Sequence, residues 1–322
     1  MENKAIRNIL VVRNDRFGEF LLNIPAMRAL KETYKGAKVV ALVNPYVKEL
    51  AESVPFIDEI IVWTGGKHSL SRKLWLISQL KGRKIDMAIM LNPSKELNIL
   101  TYLAGIPIRV GYSKKWGFLL THKINDEKRF EKKHEVDYNL ELVGLTGART
   151  EDRSLFIDIN DEFGKDLKDL PAGNQNLLAL HPWTSDSIKQ WPIENFSNLS
   201  SELAKQLNAK VIIIGGKEEL SKGSGLFSDL GKDIINLTGK TSLVQLASLL
   251  KKCRLLISGD SGPVHLAACV GTPVVAIFRS NIPGKGSKRW GPWGAGHAVI
   301  EKPSLSQITV EEVFERVKEV LK

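Results

Sequence analysis

The chain has 322 residues, of which 43% are hydrophobic and 25% are charged. These ordinary values exclude a disordered chain, a collagen and a long coiled coil, and the length predicts two domains at roughly 100–200 residues each. No apolar run approaches the roughly 18–20 residues of a membrane span, and the strand-like run at Ile9 comes too early for a signal peptide. Cys253 and Cys269 lie in apolar segments without ligand-like spacing. We therefore expect reduced core thiols in a soluble cytoplasmic protein.

The net charge of +10 is concentrated in residues 67–133, which contain 15 basic and 5 acidic residues, whereas the rest of the chain contains 31 of each. Two interpretations stay open: a solvated face, or a surface for an anionic partner such as a phosphorylated glycolipid, a membrane or a nucleic acid. Trp75, Trp116 and Phe118 are interleaved with these charges. No nucleic-acid-binding signature accompanies them, so we expect no nucleic acid partner.

Strand-like and helix-like segments alternate along the first half of the chain. The continuous apolar run Ile9–Val12 is typical of a strand buried on both faces of a parallel sheet. A helix-like stretch follows at residues 20–34, and further strand-like runs lie at residues 38–43, 59–63 and 86–91. This alternation predicts βαβ units and a doubly wound α/β sheet.

The same alternation restarts after about residue 175. Its strand-like runs are residues 177–180, 210–214, 255–257 and 273–278. An acidic, turn-rich segment at residues 150–174 separates the halves, and residues 309–322 have helical spacing. We therefore predict two Rossmann-like domains, residues 1–170 and 171–322, that face a central cleft.

Ligands of doubly wound sheets bind beyond the carboxyl ends of the strands. No G-x-G-x-x-G or P-loop sequence occurs there, which argues against a dinucleotide oxidoreductase and a P-loop enzyme. After the first strand comes Asp15, between Arg13 and Arg16. Its carboxylate could accept a proton from an attacking hydroxyl. It could equally cap the helix that begins near Gly18, or pair with an arginine.

Donor groups for a diphosphate follow two strands of the second half. Thr184, Ser185 and Lys189 precede a helix start near Pro192, so this loop could bind a diphosphate through hydroxyl, amide and ammonium groups. A solvated loop is the alternative. After the strand at residues 210–214, either Glu218 or Glu219 could bind a ribose diol or be a solvated acid in a first helical turn.

The segment Ile257–Ala268 predicts an anion site at a helix N-terminus. A strand ends there, small residues make the turn, and Pro263 falls in the first helical turn, where proline is favoured. The amides and dipole of that turn suit a phosphate. We expect Ser261 to be the N-cap, and His265 to lie beside the anion or to be a core histidine. Asp260 is expected to accept a hydrogen bond from a hydroxyl or the backbone.

Metal and nucleophile signatures are missing from the sequence. The six histidines show no pair at metal-ligand spacing, and no Asp-x-Asp follows a predicted strand. No Gly-x-Ser-x-Gly nucleophile elbow occurs. We therefore expect neither a bound metal nor another cofactor.

Three segments together resemble the signatures of glycosyltransferase family 9, the ADP-heptose:lipopolysaccharide heptosyltransferases. They are Ile9–Leu30, with Asp15-Arg16 and Gly18; His181-Pro182 with Lys189 and Trp191-Pro192; and Gly259–Ala268 followed by Gly271-Thr272-Pro273. The resemblance spans nearly the whole chain. It implies an inverting, metal-independent transfer of a sugar from a nucleotide-sugar donor, most simply ADP-heptose, in a two-domain GT-B fold.

The resemblance also implies roles for individual residues. Asp15 matches the general base, and Lys189 would stabilise the leaving diphosphate. The donor-binding positions would be Thr184, Ser185, Lys189, Glu218 or Glu219, Asp260, Ser261, Gly262 and His265. The basic segment lies in the acceptor domain, so an anionic glycolipid of the lipopolysaccharide inner core at the membrane surface is the expected acceptor. Its contacts would be Arg13, Arg16, Arg72, Lys73, Arg83 and Lys84, on a protein that we expect to be a monomer.

The chain departs from the family's usual residues at three positions, Glu19, Gln190 and Arg279. These departures keep the transfer chemistry and leave the donor base and sugar open. One alternative is a glycosyltransferase with another nucleotide-sugar donor. A nucleotide-sugar epimerase or hydrolase, which turns over donor without acceptor, is a second, and a binding protein that releases no diphosphate is a third.

Overall fold

The computed structural model describes residues 5–160, 176–220 and 231–322. The chain divides into two compact units, Met1–Ser154 and Leu155–Lys322. The predicted domain boundary at residues 170 and 171 lies outside the described residues.

The first unit contains a parallel sheet in the order β3-β2-β1-β4-β5-β6. Its strands are β1 (Asn8–Val12), β2 (Lys38–Val43), β3 (Glu59–Val62), β4 (Met87–Met90), β5 (Ile108–Tyr112) and β6 (His122–Ile124). Its helices are α1 (Phe17–Leu21), α2 (Ile24–Thr33), α3 (Lys48–Glu52), α4 (Leu70–Gly82), α5 (Lys95–Leu103) and α6 (Glu135–Gly144).

The second unit repeats this arrangement with the parallel order β12-β11-β10-β7-β8-β9. Its strands are β7 (Leu177–His181), β8 (Lys210–Ile213), β9 (Ile234–Asn236), β10 (Leu255–Gly259), β11 (Val274–Arg279) and β12 (Ala298–Lys302). Its described helices are α7 (Ile193–Leu207), α8 (Leu243–Lys252), α9 (Gly262–Cys269), α10 (Ser287–Trp290) and α11 (Val310–Leu321).

These two sheets confirm the predicted α/β fold with two doubly wound domains. The predicted helix at residues 20–34 is, however, interrupted and forms α1 and α2. The reason is Pro25, which has no backbone N–H to continue a helix and instead occupies the first turn of α2, where that N–H is not needed.

Buried apolar side chains pack helices against each sheet. On one face of the first sheet, Leu76 and Leu80 of α4 and Leu97 and Leu100 of α5 are buried in one cluster with side chains of β1, β2 and β4. Each such burial stabilises the fold by about 1.5–3 kcal/mol.

Both cysteines are free and buried, as the sequence predicts. Burial raises the pKa of the Cys253 thiol to about 12 and also raises that of Cys269. Across residues 5–160, 176–220 and 231–322, no helix combines the length and apolar character needed to cross a membrane.

The strand order fixes where a ligand site can form. In each sheet the chain winds outward in opposite directions from two central strands, β1 and β4 in the first and β7 and β10 in the second. Loops leaving such a pair diverge and open a crevice at the carboxyl ends of the strands. The loops after these four strands are therefore the places where each unit can bind a ligand.

Candidate functional site

In the first unit, a buried arginine joins the two loops that diverge from the central strands. Arg13 follows β1 directly, and its Nε donates a hydrogen bond to Asp15 Oδ1 at 2.7 Å. Its Nη1 donates to the carbonyl oxygen of Leu91, just after β4, at 3.2 Å. A single guanidinium thus orients the Asp15 carboxylate relative to both loops.

The guanidinium of Arg13 is in turn part of a buried ionic cluster. Its Nη1 lies 3.7 Å from Oε1 of Glu135, the first residue of α6, and Glu135 accepts a hydrogen bond of 2.6 Å from Lys128 Nζ. Burial lowers the pKa of Arg13, but the carboxylates of Asp15 and Glu135 outweigh it, so the pKa is raised and the side chain stays charged. Arg13, which the sequence analysis predicted to contact the acceptor, is therefore a buried residue that orients the Asp15 carboxylate.

A second contact fixes the backbone at Asp15. The Tyr46 hydroxyl donates to the Asp15 carbonyl oxygen at 3.0 Å and accepts from the Phe17 N–H at 3.1 Å. Burial raises the pKa of Tyr46 to about 12, so the phenol keeps its proton. Helix α1 has Arg16 as its N-cap and no side-chain cap. Of the interpretations left open for Asp15, pairing with Arg13 is thus present and capping is absent.

Asp15 lies on the wall of a pocket of about 540 Å³ in the first unit, beyond the carboxyl ends of its strands. Three amide side chains, Asn14, Asn44 and Asn92, line it together with Trp63. An amide both donates and accepts hydrogen bonds, as a sugar hydroxyl does. Three cationic side chains, Arg16, Lys95 and Lys115, also line the pocket. The pocket therefore suits a polyhydroxylated ligand that carries negative charge.

Helix α4 separates the four basic residues that the sequence assigns to the acceptor. At its start, the Arg72 guanidinium lies 5.5 Å from the ring centre of the pocket residue Trp63, and Lys73 Nζ lies 3.4 Å from Oε1 of the pocket residue Glu96. Past its other end, Arg83 pairs at 3.0 Å with Glu59 at the start of β3, followed by Lys84. Since 13 helical residues span about 20 Å, Arg72 and Lys73 lie beside the pocket, whereas Arg83 and Lys84 lie at the opposite edge of the sheet.

In the second unit, three polar side chains meet at the central strands. His181 ends β7 beside Ser258 of β10, its partner in the sheet register. The Ser261 hydroxyl lies 3.0 Å from His181 Nδ1 and 2.8 Å from Ser258 Oγ. Ser261 occupies the N-cap position of α9, but its side chain makes no hydrogen bond to the helix. The predicted N-cap position of Ser261 is thus confirmed, while its hydroxyl contacts the imidazole and the second hydroxyl rather than the helix backbone.

The ammonium predicted to bind a diphosphate lies next to the first turn of α9. Lys189 Nζ forms an ion pair with the carboxylate of Asp260, directly after β10. The structure therefore pairs Asp260 with a cation, a partner that the sequence analysis did not assign to it. Gly262 begins α9, and His265 is buried in its first turns. Lys189, Asp260, Ser261 and Gly262 are thus brought together at one helix N-terminus.

Two of the departures from the family pattern hold the loop that carries Thr184 and Lys189. The Gln190 carboxamide accepts from the Thr184 N–H at 3.1 Å and donates to the Trp191 carbonyl oxygen at 2.9 Å. Arg279, the last residue of β11, donates to the Ile188 carbonyl oxygen at 3.5 Å. Ser185 is exposed on the same loop. Gln190 and Arg279 therefore hold the loop conformation, and the loop still carries the hydroxyls of Thr184 and Ser185 and the ammonium of Lys189.

The structure distinguishes the two candidate glutamates. Glu219 is buried; its Oε2 accepts from the Gly216 N–H at 2.7 Å and lies 3.8 Å from His181 Nε2, whereas Glu218 is exposed. Close packing maintains this turn, because a Cβ on Gly215 would lie 2.6 Å from Trp183 Nε1. Glu219 is therefore the acid brought to the central strands. Among the side chains that the structure describes, no group of three or more His, Cys, Asp or Glu could hold a metal ion.

Comparisons with known proteins identify a family and a fold that this chain shares. The family model described as "Glycosyltransferase family 9 (heptosyltransferase)" matches residues 73–315. The lipopolysaccharide core heptosyltransferase OpsX of Haemophilus influenzae is 26% identical, over 87% of this chain and 81% of OpsX. The glycosyl transferase family 9 structure from Veillonella parvula superposes with a TM-score of 0.87 at 22% identity, over 98% of this chain and 97% of that one. The ADP-heptose lps heptosyltransferase II structure of E. coli gives 0.80 at 20% identity, over 98% of both chains.

Proposed function

The chain belongs to glycosyltransferase family 9, and on that premise we propose that it transfers heptose from ADP-heptose, with inversion and without a metal ion, to an anionic glycolipid of the lipopolysaccharide core. Its general class, a glycosyltransferase, follows from the family. The donor and the acceptor are supported by the names of two similar proteins, a lipopolysaccharide core heptosyltransferase and an ADP-heptose heptosyltransferase. We place this activity in the cytoplasm.

The observation that carries the proposal is the Asp15 carboxylate on the wall of the amide-lined pocket, oriented by buried Arg13. An acceptor hydroxyl in this pocket gives its proton to Asp15 while its oxygen attacks the anomeric carbon of the donor sugar. The bond from that carbon to the diphosphate oxygen breaks as the new glycosidic bond forms. Attack opposite the leaving group inverts the anomeric configuration.

The leaving nucleoside diphosphate gains negative charge as its bond breaks, and the second unit offers donors for that charge. Lys189 supplies an ammonium, Thr184 and Ser185 supply hydroxyls, and the first turn of α9 supplies backbone amides and the helix dipole. We assign the ribose diol to Glu219, because its carboxylate is the one held at the central strands.

The acceptor's negative charge is assigned to the cations around the pocket in the first unit. Arg16, Lys95 and Lys115 line the pocket, and Arg72 and Lys73 lie beside it. The carboxylate of Glu96, which also lines the pocket, is engaged by His68 at 2.8 Å and by Lys73 at 3.4 Å. The pocket therefore attracts an anionic acceptor despite containing two carboxylates.

Charge reversal at the two ends of α4 tests this assignment. Arg72→Glu/Lys73→Glu is expected to raise the acceptor KM about tenfold and to leave donor affinity unchanged, because it places like charge beside the bound anion. The matched control is Arg83→Glu/Lys84→Glu, the same reversal just past the end of this helix, at the amino ends of the strands, for which we expect an acceptor KM within about twofold of wild type. Equal acceptor KM values for the two variants would contradict the assignment.

The experiment that tests the function combines nucleotide binding with turnover, all in the presence of EDTA. Calorimetry with ADP, UDP, GDP and CDP is expected to show selective binding of ADP. Incubation with ADP-heptose is expected to release ADP only when the glycolipid acceptor is present. Preference for UDP would assign another donor, release without acceptor would favour an epimerase or hydrolase, and binding without release would favour a binding protein.

A further inference from the structure

Exposed apolar side chains flank the pocket of the first unit on two sides. On α4, Leu70 and Leu74 lie one turn apart and are 72% and 56% exposed. In the loop after β5, Trp116 and Phe118 are 44% and 69% exposed. Helix α4 begins beyond the carboxyl end of β3, and the second segment follows the carboxyl end of β5. Both therefore lie at the edge of the sheet where the pocket opens. We call these four residues the apolar rim.

Contacts connect the apolar rim to the pocket. The pocket residue Lys95 places its ammonium 4.2 Å from the ring centre of Trp116, and Lys115, also in the pocket wall, immediately precedes that tryptophan. On the other side, the guanidinium of Arg72, a residue of α4, lies 5.5 Å from the ring centre of the pocket residue Trp63 and 4.2 Å from that of Trp75. A partner that contacts the apolar rim would therefore also lie next to the opening of the pocket.

The backbone is strained where it presents Trp116. Lys115 and Trp116 have φ angles of 48° and 68°, a left-handed conformation that costs a non-glycine residue about 1–2 kcal/mol. Gly117 is closely packed, since a Cβ there would lie 2.8 Å from the Tyr112 carbonyl oxygen. Such strain persists where the surrounding structure imposes it and is concentrated at functional sites. Here its effect is to hold a large aromatic side chain in solvent beside the pocket.

Basic residues outnumber acidic ones around the apolar rim, where Glu96 pairs with Lys73 and Asp126 pairs with Lys114. Residues 70–82 contain three basic and no acidic residues. Around the second segment lie Lys95, Lys114 and Lys115; of these, Lys114 pairs with Asp126 at 3.0 Å. Apolar and aromatic side chains among lysines and arginines match an anionic lipid surface, where aromatic rings lie at the level of the head groups and each cation contributes about 1 kcal/mol.

We propose that the apolar rim docks on an anionic lipid bilayer and so brings the pocket to a membrane-embedded acceptor. The reason for docking rests on the proposed glycolipid acceptor, whereas the docking surface itself is inferred from the exposed apolar side chains and the basic residues around them. Trp116 and Phe118 on one side and Leu70 and Leu74 on the other enter the interfacial region, while the surrounding lysines and arginines contact the head groups. An acceptor head group then reaches the pocket without leaving its membrane.

The test is sedimentation of the full chain with vesicles of phosphatidylcholine containing about a third phosphatidylglycerol, compared with pure phosphatidylcholine. Wild type is expected to bind the anionic vesicles at least tenfold more tightly, with an affinity that falls as salt rises. Leu70→Ser/Leu74→Ser and Trp116→Ser/Phe118→Ser should each weaken this binding at least tenfold. The matched control is Tyr102→Ser/Leu103→Ser, which removes two side chains exposed to about half on α5. It should bind like wild type.

Transfer assays separate this inference from the proposed function. Leu70→Ser/Leu74→Ser should keep wild-type turnover on a delipidated, water-soluble acceptor and lose most turnover on the same acceptor embedded in vesicles. Vesicle binding without any transfer would refute the proposed function and leave the docking surface standing. Wild-type binding that is equal for both vesicle types, or unchanged in the rim variants, would overturn the inference. So would a wild-type dimer that the rim substitutions convert to monomer without affecting vesicle binding, because a second copy of the chain would then cover the rim.

Discussion

Asp15→Asn is expected to lower the kcat of sugar transfer by about 10²–10⁴-fold, the usual contribution of a general base. The amide side chain has nearly the same shape as the carboxylate, and its oxygen can still accept the hydrogen bond from Arg13 Nε. It cannot accept the proton of the acceptor hydroxyl. The variant should still fold, because two other hydrogen bonds hold this region. Tyr46 donates to the Asp15 carbonyl oxygen, and Arg13 donates to the Leu91 carbonyl oxygen.

The measurement is steady-state release of ADP at saturating donor and acceptor, with calorimetry of ADP on the same preparation. ADP affinity should be unchanged, since the donor residues belong to the second unit. A matched control is Asp58→Asn, because the Asp58 side chain is 35% exposed and pairs with Lys31, while that of Asp15 is 34% exposed and pairs with Arg13. The control should retain a kcat within about twofold of wild type. A folded Asp15→Asn protein with near-normal kcat would mean that another group takes the proton.

The sequence predicts strands β1 to β4, β7, β8, β10 and β11, which include the buried centre of each sheet. Strands β1, β4, β7 and β10 have helices or neighbouring strands on every side, so their residues form continuous apolar runs. Two edge strands that the sequence analysis did not predict carry no such run: β6 has three residues, two of them exposed, and β12 alternates between buried and exposed positions. A strand with one solvated side keeps polar residues, and its pattern resembles that of a loop.

The candidate site divides in a similar way. Asp15, Lys189 and Ser261 could be predicted because a parallel sheet places every residue that follows a strand at one edge. Glu135 could not, because a glutamate in the first turn of a helix is ordinarily a solvated residue favoured by the helix dipole. Its burial against Lys128 and Arg13 depends on a contact across more than 120 positions of the chain.

The side-chain contacts at the proposed donor site could not be predicted from the local sequence either. Ser261 takes the N-cap position that the local sequence indicates, but its hydroxyl makes no hydrogen bond to the helix and lies within hydrogen-bond distance of His181, which is 80 positions earlier. Which of two adjacent glutamates faces the site depends on a single turn at Gly216. In both cases the local sequence indicates which contacts a side chain can make, and residues distant in the sequence determine which contact forms.

Lys189→Ala is expected to leave the fold intact and to lower kcat by about 10²–10³-fold, the usual effect of removing one donor that stabilises developing negative charge. Two losses combine. First, the leaving diphosphate loses the ammonium that would stabilise it. Second, the Asp260 carboxylate, which is paired with that ammonium in the wild type, loses this cation and keeps its negative charge beside the first turn of α9. The variant should therefore repel a diphosphate as well as fail to attract it. Affinity for ADP should fall together with kcat.

This second loss can be separated from the first by a double-mutant cycle. In the Lys189→Ala background, Asp260→Asn removes the repelling charge and should restore part of the lost ADP affinity, whereas in the wild-type background the same change should weaken ADP binding by freeing Lys189 from its position. Lys285→Ala, which removes another lysine of this unit from its pair with Asp186 at 2.8 Å, is the matched control and should change kcat by no more than a few-fold.

Additive effects of Lys189→Ala and Asp260→Asn would show that the two side chains act independently, and near-normal turnover by Lys189→Ala would remove the ammonium from the mechanism. Opposite signs of the Asp260→Asn effect in the two backgrounds would identify the ion pair as the element that positions the cation for the diphosphate.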